Sequence, residues 1–225
     1  MIANNFAIAI DGPVGVGKST TAKLVANMLG ITYIDTGAMY RATALYYLQN
    51  NKSNLKEIDD VDINLHYKNG VQHVFLNGED VTNLLRTQEI SALASQVIAV
   101  NSKIREKLVG LQREMAKTSS VVMDGRDIGS HVLPWAQVKI YLDASPEIRA
   151  NRRAMEQKSK GESSDFAQIL QETIDRDKID KNRPISPLIK TDDAIAIDTG
   201  HMNPEEVAAK IVKYAKEILQ CSTNS

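Results

Sequence analysis

Cysteine is almost absent from this sequence of 225 residues, since Cys221 stands alone and no disulfide can form within the chain. A chain without disulfides suits a reducing compartment. The sequence also lacks any run of about 18 apolar residues, the length that a membrane span needs. It has no basic N-terminal segment leading into an apolar stretch, as a secretory signal would. We therefore expect a soluble, cytoplasmic protein with no membrane partner.

A surplus of either charge is missing as well. The 27 Lys and Arg residues nearly balance the 28 Asp and Glu residues, which leaves a net charge of −1. Proteins that coat nucleic acid non-specifically carry a strong basic surplus, so we expect no nucleic-acid partner. The composition, 43% hydrophobic and 24% charged, is ordinary for a globular protein. The length allows one large domain with a small insertion.

The most informative segment lies near the start of the chain. The apolar run Phe6–Asp11 is typical of a strand and Ser19–Leu29 of a helix, and between them stands the pattern G-x-x-x-x-G-K-S. Its glycines let backbone N–H groups approach phosphate oxygens, and the helix N-terminus favours the anion. The residues of this phosphate loop are Gly12, Pro13, Val14, Gly15, Val16, Gly17, Lys18, Ser19 and Thr20. We expect nucleotide binding, with Lys18 at the β- and γ-phosphates and Ser19 at Mg²⁺.

Short strands alternate with helices along much of the remaining chain. Further strands are predicted at Thr32–Asp35, Ser120–Asp124, Val138–Asp143 and Ala194–Asp198, and further helices at Ala38–Gln49, Lys103–Lys117, Pro146–Glu156, Asp165–Lys181 and Pro204–Leu219. The alternation predicts an α/β fold, with a parallel sheet flanked by helices on both faces. Ligands of such sheets bind beyond the carboxyl ends of the strands, where the aspartates that end these strands collect.

One segment departs from the alternation. Residues 63–78 show period-2 apolar alternation around the pairs Asn69-Gly70 and Asn77-Gly78, the strongest short-range signal for a hairpin. We expect an antiparallel hairpin over residues 62–86, inserted into the α/β core and followed by a helix near Arg86–Val100. The polar tract at residues 157–164 is expected to form a mobile loop.

Two motifs follow the second and third strands. In Asp35-Thr-Gly-Ala-Met-Tyr-Arg41, either Asp35 or Thr36 can cap the next helix. An arginine one turn into a helix, such as Arg41, is usually a surface residue. Beside a phosphate-binding edge, however, Arg41 is a candidate ligand of a second phosphate, because guanidinium binds phosphate bidentately. In Asp124-Gly-Arg-Asp127, the first aspartate can hold Mg²⁺ or its water shell. For Arg126 and Asp127 we favour a binding role over a mutual surface ion pair, which would contribute little.

Arginines cluster on both sides of the polar tract. Upstream stand Arg149, Arg152 and Arg153, and downstream stand Arg176 and Arg183, spaced with Asp180 at i, i+4 and i+7. Such a spacing places side chains on one face of a helix. A solvent-facing stripe of ion pairs is the alternative. A lid that supplies positive charge and excludes water would meet the needs of phosphoryl transfer. Pro184 and Pro187 are expected to end the helix.

Taken in order, these motifs resemble the bacterial cytidylate kinases, within the nucleoside monophosphate kinase family of P-loop kinases. Other matching stretches are Arg86-Thr-Gln-Glu89, Ala94-Ser-Gln-Val97, Val100–Arg105, Ile128-Gly129, Lys139–Ala144 and Pro187-Leu188. The resemblance implies a P-loop NTPase-type core with a five-stranded parallel sheet, an antiparallel β-containing monophosphate-binding insertion and a helical lid. It divides the chain into a core of residues 1–61 and 101–225, with the lid at about 152–185, and an insertion of residues 62–100.

The resemblance also implies residue roles. ATP is expected at the phosphate loop and Arg153, with Mg²⁺ held by Ser19 and, through water, by Asp124. The residues implied for the acceptor are Arg41 and Arg126 at its phosphate, Ser95, Arg105 and Asp127 at cytosine, Arg176, Asp180 and Arg183 at the sugar and phosphates, and Thr36 and Tyr40 as further substrate-binding residues. The catalytic residues would be Lys18, Arg126, Arg176 and Arg183. Ser186, where the family usually has alanine, and Pro184 are departures that would affect the motion of the lid.

The implied reaction moves the γ-phosphoryl group of Mg-ATP to CMP or dCMP in pyrimidine nucleotide metabolism, in a monomeric enzyme. Cytosine presents an amino donor beside two acceptors, which a carboxylate or hydroxyl and a guanidinium can match. Uracil reverses this polarity at positions 3 and 4. One alternative is a related kinase acting on UMP, AMP, shikimate or dephospho-CoA. Another is a nucleotide-dependent switch such as a GTPase, which only the fragment Lys190-Thr-Asp192 favours.

Overall fold

A five-stranded parallel sheet forms the centre of the α/β core. The computed structural model describes residues 5–50, 61–68, 71–159, 161 and 163–223. In chain order its strands are β1 (Ala7–Asp11), β2 (Thr32–Asp35), β3 (Ile63–Lys68), β4 (Val71–Leu76), β5 (Glu79–Asp80), β6 (Val121–Gly125), β7 (Val138–Asp143) and β8 (Ile195–Asp198). The parallel sheet has the order β2-β6-β1-β7-β8. The predicted α/β fold is therefore confirmed, and β1, which leads into the phosphate loop, lies in the middle of the sheet.

Helices cover both faces of this sheet. They are α1 (Lys18–Leu29), α2 (Thr36–Gln49), α3 (Gln88–Leu93), α4 (Ser102–Thr118), α5 (Pro146–Ser159), α6 (Phe166–Asn182) and α7 (Pro204–Thr223). On one face Ile8 and Ile140 pack with Val25 of α1 and Ile211 of α7. On the other face alternate strand residues pack against α4. Because both faces are covered, all five residues of β1 are buried. In the part of the chain described, no helix combines the length and hydropathy of a membrane span.

Strands β3, β4 and β5 form a separate antiparallel sheet. The predicted hairpin is confirmed in β3 and β4, which pair from Ile63 with Leu76 to Lys68 with Val71. The Asn69-Gly70 turn lies outside the described residues. Asn77 and Gly78, with φ of 50° and 86°, form the second Asn-Gly turn, as two-residue turns of this kind require. The helix expected near Arg86–Val100 is split into α3 and a π-helical turn, Ala94–Ile98.

Side chains of the hairpin attach this small sheet to β2, an edge strand of the parallel sheet. The Gln72 amide oxygen accepts from the Asp35 N–H at 2.8 Å. The Tyr67 hydroxyl donates to the Tyr33 carbonyl at 2.9 Å. An edge strand presents unpaired backbone groups, and these contacts satisfy two of them. They also hold Asp35 at the carboxyl end of β2.

Helix α6 ends at Asn182, one residue before Arg183. Arg183 is extended, with φ of −61° and ψ of 140°, because a residue that precedes proline is pushed out of the helical region. The turn that follows has Ser186 in the left-handed region, with φ of 48°. Its carbonyl accepts from Nε of Arg183. The prediction that Arg176 and Asp180 lie on one helix is therefore confirmed. Arg183 lies beyond the helix, and the turn that contains Ser186 orients its side chain.

Candidate active site at the carboxyl edge of the sheet

The phosphate loop joins β1 to α1 and is held from outside through its carbonyl groups. The Val14 carbonyl accepts from Nη1 of Arg149 at 3.1 Å, and the Val16 carbonyl accepts from the Thr199 hydroxyl at 3.2 Å. Gly12 begins the loop with φ of 153°, and a Cβ at this position would lie 2.3 Å from the Leu142 carbonyl oxygen. Only glycine allows the loop to pass this close to β7. The loop therefore has the fixed backbone that phosphate binding at a helix N-terminus requires.

Lys18 is the first residue of α1 and is buried. Its Nζ donates to the Pro13 carbonyl at 2.7 Å. Burial and the nearby Arg126 lower the pKa of Lys18 from 10.5 to about 7. An amine with this pKa regains its charge readily when an anion arrives, so the side chain is suited to bind phosphate oxygens at the loop.

Asp124, on β6, lies beside the loop with both carboxylate oxygens engaged. Ser19 Oγ donates to Oδ2 at 3.0 Å, and the Tyr33 hydroxyl donates to Oδ1 at 2.8 Å. Burial and Asp35 raise the pKa of Asp124, which Lys18 opposes. A hydroxyl and a carboxylate next to a phosphate site are the oxygen donors that Mg²⁺ uses when it keeps several waters. The donor set of Ser19 and Asp124 therefore fits the predicted ion.

The motif after β2 is organised by Asp35. One carboxylate oxygen of Asp35 accepts from the Ala38 N–H at 2.9 Å and caps α2, and the other accepts from Nη2 of Arg41 at 2.9 Å. The sequence allowed either Asp35 or Thr36 as the cap of α2, and the structure shows that it is Asp35. The Thr36 hydroxyl instead donates to the Asp124 carbonyl at 2.7 Å. Thr36 and Arg41 therefore lie at the same edge as Asp124.

Arg126 and Asp127, adjacent in sequence, have different partners. Arg126 Nε lies 2.7 Å from Oδ2 of Asp180, and Arg176 Nε lies 3.4 Å from Oδ1. Burial alone would raise the pKa of Asp180, but Arg126 and Arg176 hold it below its ordinary value. The mutual surface pair considered from the sequence is therefore not formed, and Arg126 is joined to α6.

Asp127 accepts from two other arginines. Arg105 Nη2 forms a buried ion pair with its Oδ2, and Arg183 Nη2 lies 3.2 Å from its Oδ1. The guanidinium of Arg105 also lies over the ring of Tyr40, 5.6 Å from the centroid. These four residues come from α2, α4, the segment after β6 and the residue that follows α6, so the fold assembles this cluster from distant parts of the chain.

Several buried polar atoms of the predicted acceptor residues lack a hydrogen-bond partner within the described part of the chain. They include the Tyr40 hydroxyl, Nε of Arg41 and Nε of Arg105. Leaving such a group unpaired costs about 1–3 kcal/mol. Burial raises the pKa of Tyr40 to about 12, so the hydroxyl keeps its proton and stays a donor. Unpaired donors on residues predicted to bind the acceptor support the prediction that these residues bind a polar ligand.

Two predicted site residues have other contacts. The Ser95 hydroxyl donates to the Ala92 carbonyl at 2.8 Å, within its own helical segment. Arg153 lies 3.3 Å from Oε2 of Glu172 on α6. Of the other upstream arginines, Arg149 forms a bidentate ion pair with Asp177, and Arg152 donates to Thr199. Arg149 therefore connects α5 to α6, and Arg152 connects α5 to the residue that follows β8.

Sequence reasoning missed several residues that shape this site. Tyr33 binds Asp124, Thr199 binds the Val16 carbonyl, and Asp177 binds Arg149. Asp11 was noted only as the end of a strand, and its carboxylate accepts from two backbone N–H groups after Asp127. The one available signal was the recurrence of aspartate at strand ends, because partners so distant in sequence carry no local pattern.

Comparison with known proteins identifies the family. The family model described as cytidylate kinase matches residues 8–217. A cytidylate kinase of Caldicellulosiruptor bescii is 46% identical over 219 residues, covering 95% of this chain and 96% of that protein. One from Thermosipho melanesiensis is 48% identical over 212 residues, covering 93% and 96%. An uncharacterised protein from Eubacterium ventriosum shares the fold, with a TM-score of 0.53 and 16% identity over 95% of this chain and 99% of that one. The chain belongs to the cytidylate kinase family.

Proposed function

We propose that this protein transfers the γ-phosphoryl group of Mg-ATP to CMP or dCMP, giving ADP and CDP or dCDP. The observation that carries the proposal is the buried cluster in which Asp127 binds Arg105 and Arg183, directly after Arg126. A carboxylate beside a guanidinium matches the donor and acceptors of cytosine. The names of the relatives support the same assignment.

ATP would bind with its phosphates on the loop of residues 12–20, against Lys18 and the N-terminus of α1. Ser19 and Asp124 would hold Mg²⁺, Asp124 through water. When bound, this ion neutralises charge on the phosphates of the donor. Arg153 would lie near the ATP base, which requires it to exchange its contact with Glu172 for one with the nucleotide.

The chemical step needs positive charge more than proton transfer. The acceptor phosphate is already anionic, so no strong general base is required. Lys18, Arg126, Arg176 and Arg183 would surround the moving phosphoryl group, and their donors are worth most in a site from which water is excluded. Arg41 and Thr36 would hold the acceptor phosphate near Arg126, with Tyr40 lining the same site. Catalysis is then positioning plus electrostatic stabilisation.

Base recognition would use the Asp127 cluster. Asp127 accepts from the cytosine amino group while Arg105 donates to the ring, and Ser95 joins them if its hydroxyl turns away from the Ala92 carbonyl. Asp180, with Arg176 and Arg183, would bind the sugar and phosphates. Against uracil the same groups would be left unpaired, which can lower turnover by several powers of ten.

The same proposal assigns a role to each part of the chain. Residues 62–100 would form the monophosphate-binding insertion, and residues 1–61 and 101–225 the kinase core, with a lid at about 152–185. The attachment of β4 to Asp35 through Gln72 supports a role for the insertion in shaping the acceptor site. The single cysteine suits the cytoplasm, the nearly balanced charge suits an enzyme that acts on small molecules rather than nucleic acid, and the family resemblance implies a monomer.

Product identification tests the proposal. Incubation with Mg-ATP and CMP should give CDP and ADP in equal amounts, resolved by ³¹P NMR, with no inorganic phosphate. The Lys18→Ala variant, mixed and sampled in the same way, is the control for contaminating kinases. Formation of inorganic phosphate without CDP would contradict the proposal, because it would show hydrolysis in place of transfer.

A further inference from the structure

Asp11 connects the start of the phosphate loop to the segment that carries Arg126 and Asp127. It is the last residue of β1 and immediately precedes Gly12. Its Oδ1 accepts from the Ile128 N–H at 2.8 Å, and its Oδ2 accepts from the Gly129 N–H at 2.7 Å. The side chain is buried, with 5% of the residue exposed. The carboxylate of Asp11 therefore contacts backbone groups that are more than a hundred residues away in the sequence.

The two bonded N–H groups open a π-helical turn, Ile128–Val132. The Asp127 carbonyl accepts from the N–H groups of His131 and Val132, which locks Asp127 to this turn. Asp11 thus caps the turn from a neighbouring strand, as a capping carboxylate does at a helix N-terminus. A Cβ at Gly129 would lie 3.4 Å from Oδ2 of Asp11 and 3.3 Å from Lys139 Cδ, so the turn packs closely against both side chains.

A buried carboxylate is a costly way to hold a backbone turn. Removing an ionised carboxyl group from water is unfavourable unless hydrogen bonds compensate for it, and two backbone donors are all that the described contacts of Asp11 supply. The arrangement instead fixes how the turn is oriented relative to β1. Two hydrogen bonds to successive N–H groups fix the distance and the orientation of the turn relative to β1.

We propose that Asp11 is a positioning residue that sets the separation between the donor-phosphate loop and the acceptor residues Arg126 and Asp127. The proposal rests on the function proposed above, because it assigns the loop to ATP and the Asp124–Asp127 segment to the acceptor. Asp11 itself touches neither nucleotide. It acts through Gly12 on one side and through Ile128 and Gly129 on the other.

The expected signature is a loss of turnover without a matching loss of binding. A misplacement of about 1 Å between reacting groups can lower the rate about 10²-fold. The Asp11→Asn variant keeps one acceptor oxygen but turns an NH₂ group towards the second N–H, so the segment must shift. We expect kcat with CMP to fall about 10²-fold, with the Kd for ADP, measured by calorimetry, changed by less than about threefold.

A matched control separates positioning from simple destabilisation. Ile211 is buried in α7 against the sheet and is not among the residues assigned to either nucleotide. The Ile211→Ala variant should lower the melting temperature while kcat per folded molecule stays at the wild-type value. If Asp11→Asn behaves as Ile211→Ala does, with kcat per folded molecule unchanged, Asp11 is a structural cap and the proposal is wrong.

Hydrogen exchange supplies a readout that does not depend on turnover. ADP bound to the loop of the wild-type protein should slow exchange in the peptide 125–133, because Asp11 joins the two segments. In Asp11→Asn the loop peptide should be protected and peptide 125–133 should not. Equal protection of peptide 125–133 in both proteins would overturn the proposal. This comparison holds even if the acceptor is not CMP, so failure of the positioning role and failure of the assigned substrate are distinguishable.

Discussion

The guanidinium of Arg126 lies 2.7 Å from the carboxylate of Asp180, which joins the segment after β6 to helix α6 across 54 residues of sequence. Asp180 is buried and also contacts Arg176, so one carboxylate holds two of the arginines assigned to phosphate. Without a ligand this carboxylate neutralises charges that a phosphate would otherwise meet. A guanidinium has five N–H donors, so Arg126 can bind a phosphate while its Nε keeps this contact.

Removing the Arg126 side chain should reduce catalysis even when activity is counted per folded molecule, since Asp180 keeps its contact with Arg176. In Arg126→Ala we expect kcat/KM for CMP to fall about 10²–10³-fold, the loss typical of one preorganised donor to a developing charge. Arg126→Lys keeps the charge without the bidentate geometry and should recover only part of the rate. Steady-state kinetics with CMP measure both variants. Activity of the alanine variant within a few-fold of wild type would remove Arg126 from the mechanism.

The Asp127→Asn variant should lose discrimination between cytosine and uracil. The carboxylate accepts from Arg105 and Arg183 and, in our proposal, from the cytosine amino group, whereas an amide offers a donor on one side. We expect the ratio of kcat/KM for CMP to that for UMP to fall at least about tenfold. Asp193→Asn is the matched control, because Asp193 is exposed and its ion pair with Lys139 is not assigned to either nucleotide. An unchanged ratio in Asp127→Asn would refute this role.

Nucleotide binding should be accompanied by proton uptake at Lys18. The pKa of Lys18 is about 7 in the free protein, lowered by burial and by Arg126, so the amine is largely neutral at about pH 8. Phosphate oxygens stabilise the charged form and raise this pKa, so ADP binding should take up close to one proton at about pH 8 and much less at about pH 6.

Calorimetry in buffers of different ionisation enthalpy measures this uptake. The control is Lys18→Met, and the quantity of interest is the difference between the two proteins, because the phosphates of ADP also titrate near neutrality. A positive difference at the higher pH that vanishes at the lower one is the expected result. The same uptake in both proteins would show that Lys18 is already charged before ADP binds.

Asp11 should make stability depend on pH in a predictable direction. Burial raises the pKa of Asp11 from 3.8 to about 7, although the N–H groups of Gly129 and Ile128 and the charge of Lys18 oppose the shift. Asp127 adds to it. The folded state therefore binds the proton more tightly than the unfolded chain does. This contribution to stability is complete below the unfolded pKa and is lost as the pH rises through about 7.

Urea unfolding at a series of pH values checks this sign. Relative to Asp11→Asn, the unfolding free energy of the wild-type protein should fall between about pH 4 and pH 8, by up to about 1.4 kcal/mol for each unit of pKa shift. Groups that do not interact with Asp11 cancel in the difference, whereas the titration of Lys18 changes with the charge of Asp11. A difference that stays constant over this range would show that Asp11 has the same pKa in both states.

Much of the fold could be predicted because its signals are local. The strand Val138–Asp143 and the helix start at Pro146 agree with the structure residue for residue, since each follows from an apolar run or from proline at a first helical turn. The split of the predicted helix at Ala94 was not foreseen, because a π-helical turn leaves no mark on apolar periodicity. The strand β5 was not predicted either, because its two residues are too few to show an alternating pattern.

The site residues were harder to place than the elements. Local motifs indicated Lys18, Ser19 and Asp124, but no spacing shows that Asp127 meets Arg105 and Arg183 or that Asp180 meets Arg126. Those contacts depend on how α4, β6 and α6 pack together. Arg149 shows the opposite case: the sequence suggested a lid arginine, whereas its guanidinium holds the Val14 carbonyl and Asp177.

The most direct test of the account is a coupled assay of ADP release with Mg-ATP and a panel of acceptors: CMP, dCMP, UMP, AMP, GMP and shikimate. We expect fast turnover with CMP and dCMP, and rates lower by orders of magnitude with the others, because the Asp127 and Arg105 pair would be left unsatisfied by them. Preferred turnover of another acceptor would contradict the cytosine site while keeping the kinase. ADP release that does not depend on any acceptor would contradict the central claim of phosphoryl transfer to a nucleoside monophosphate.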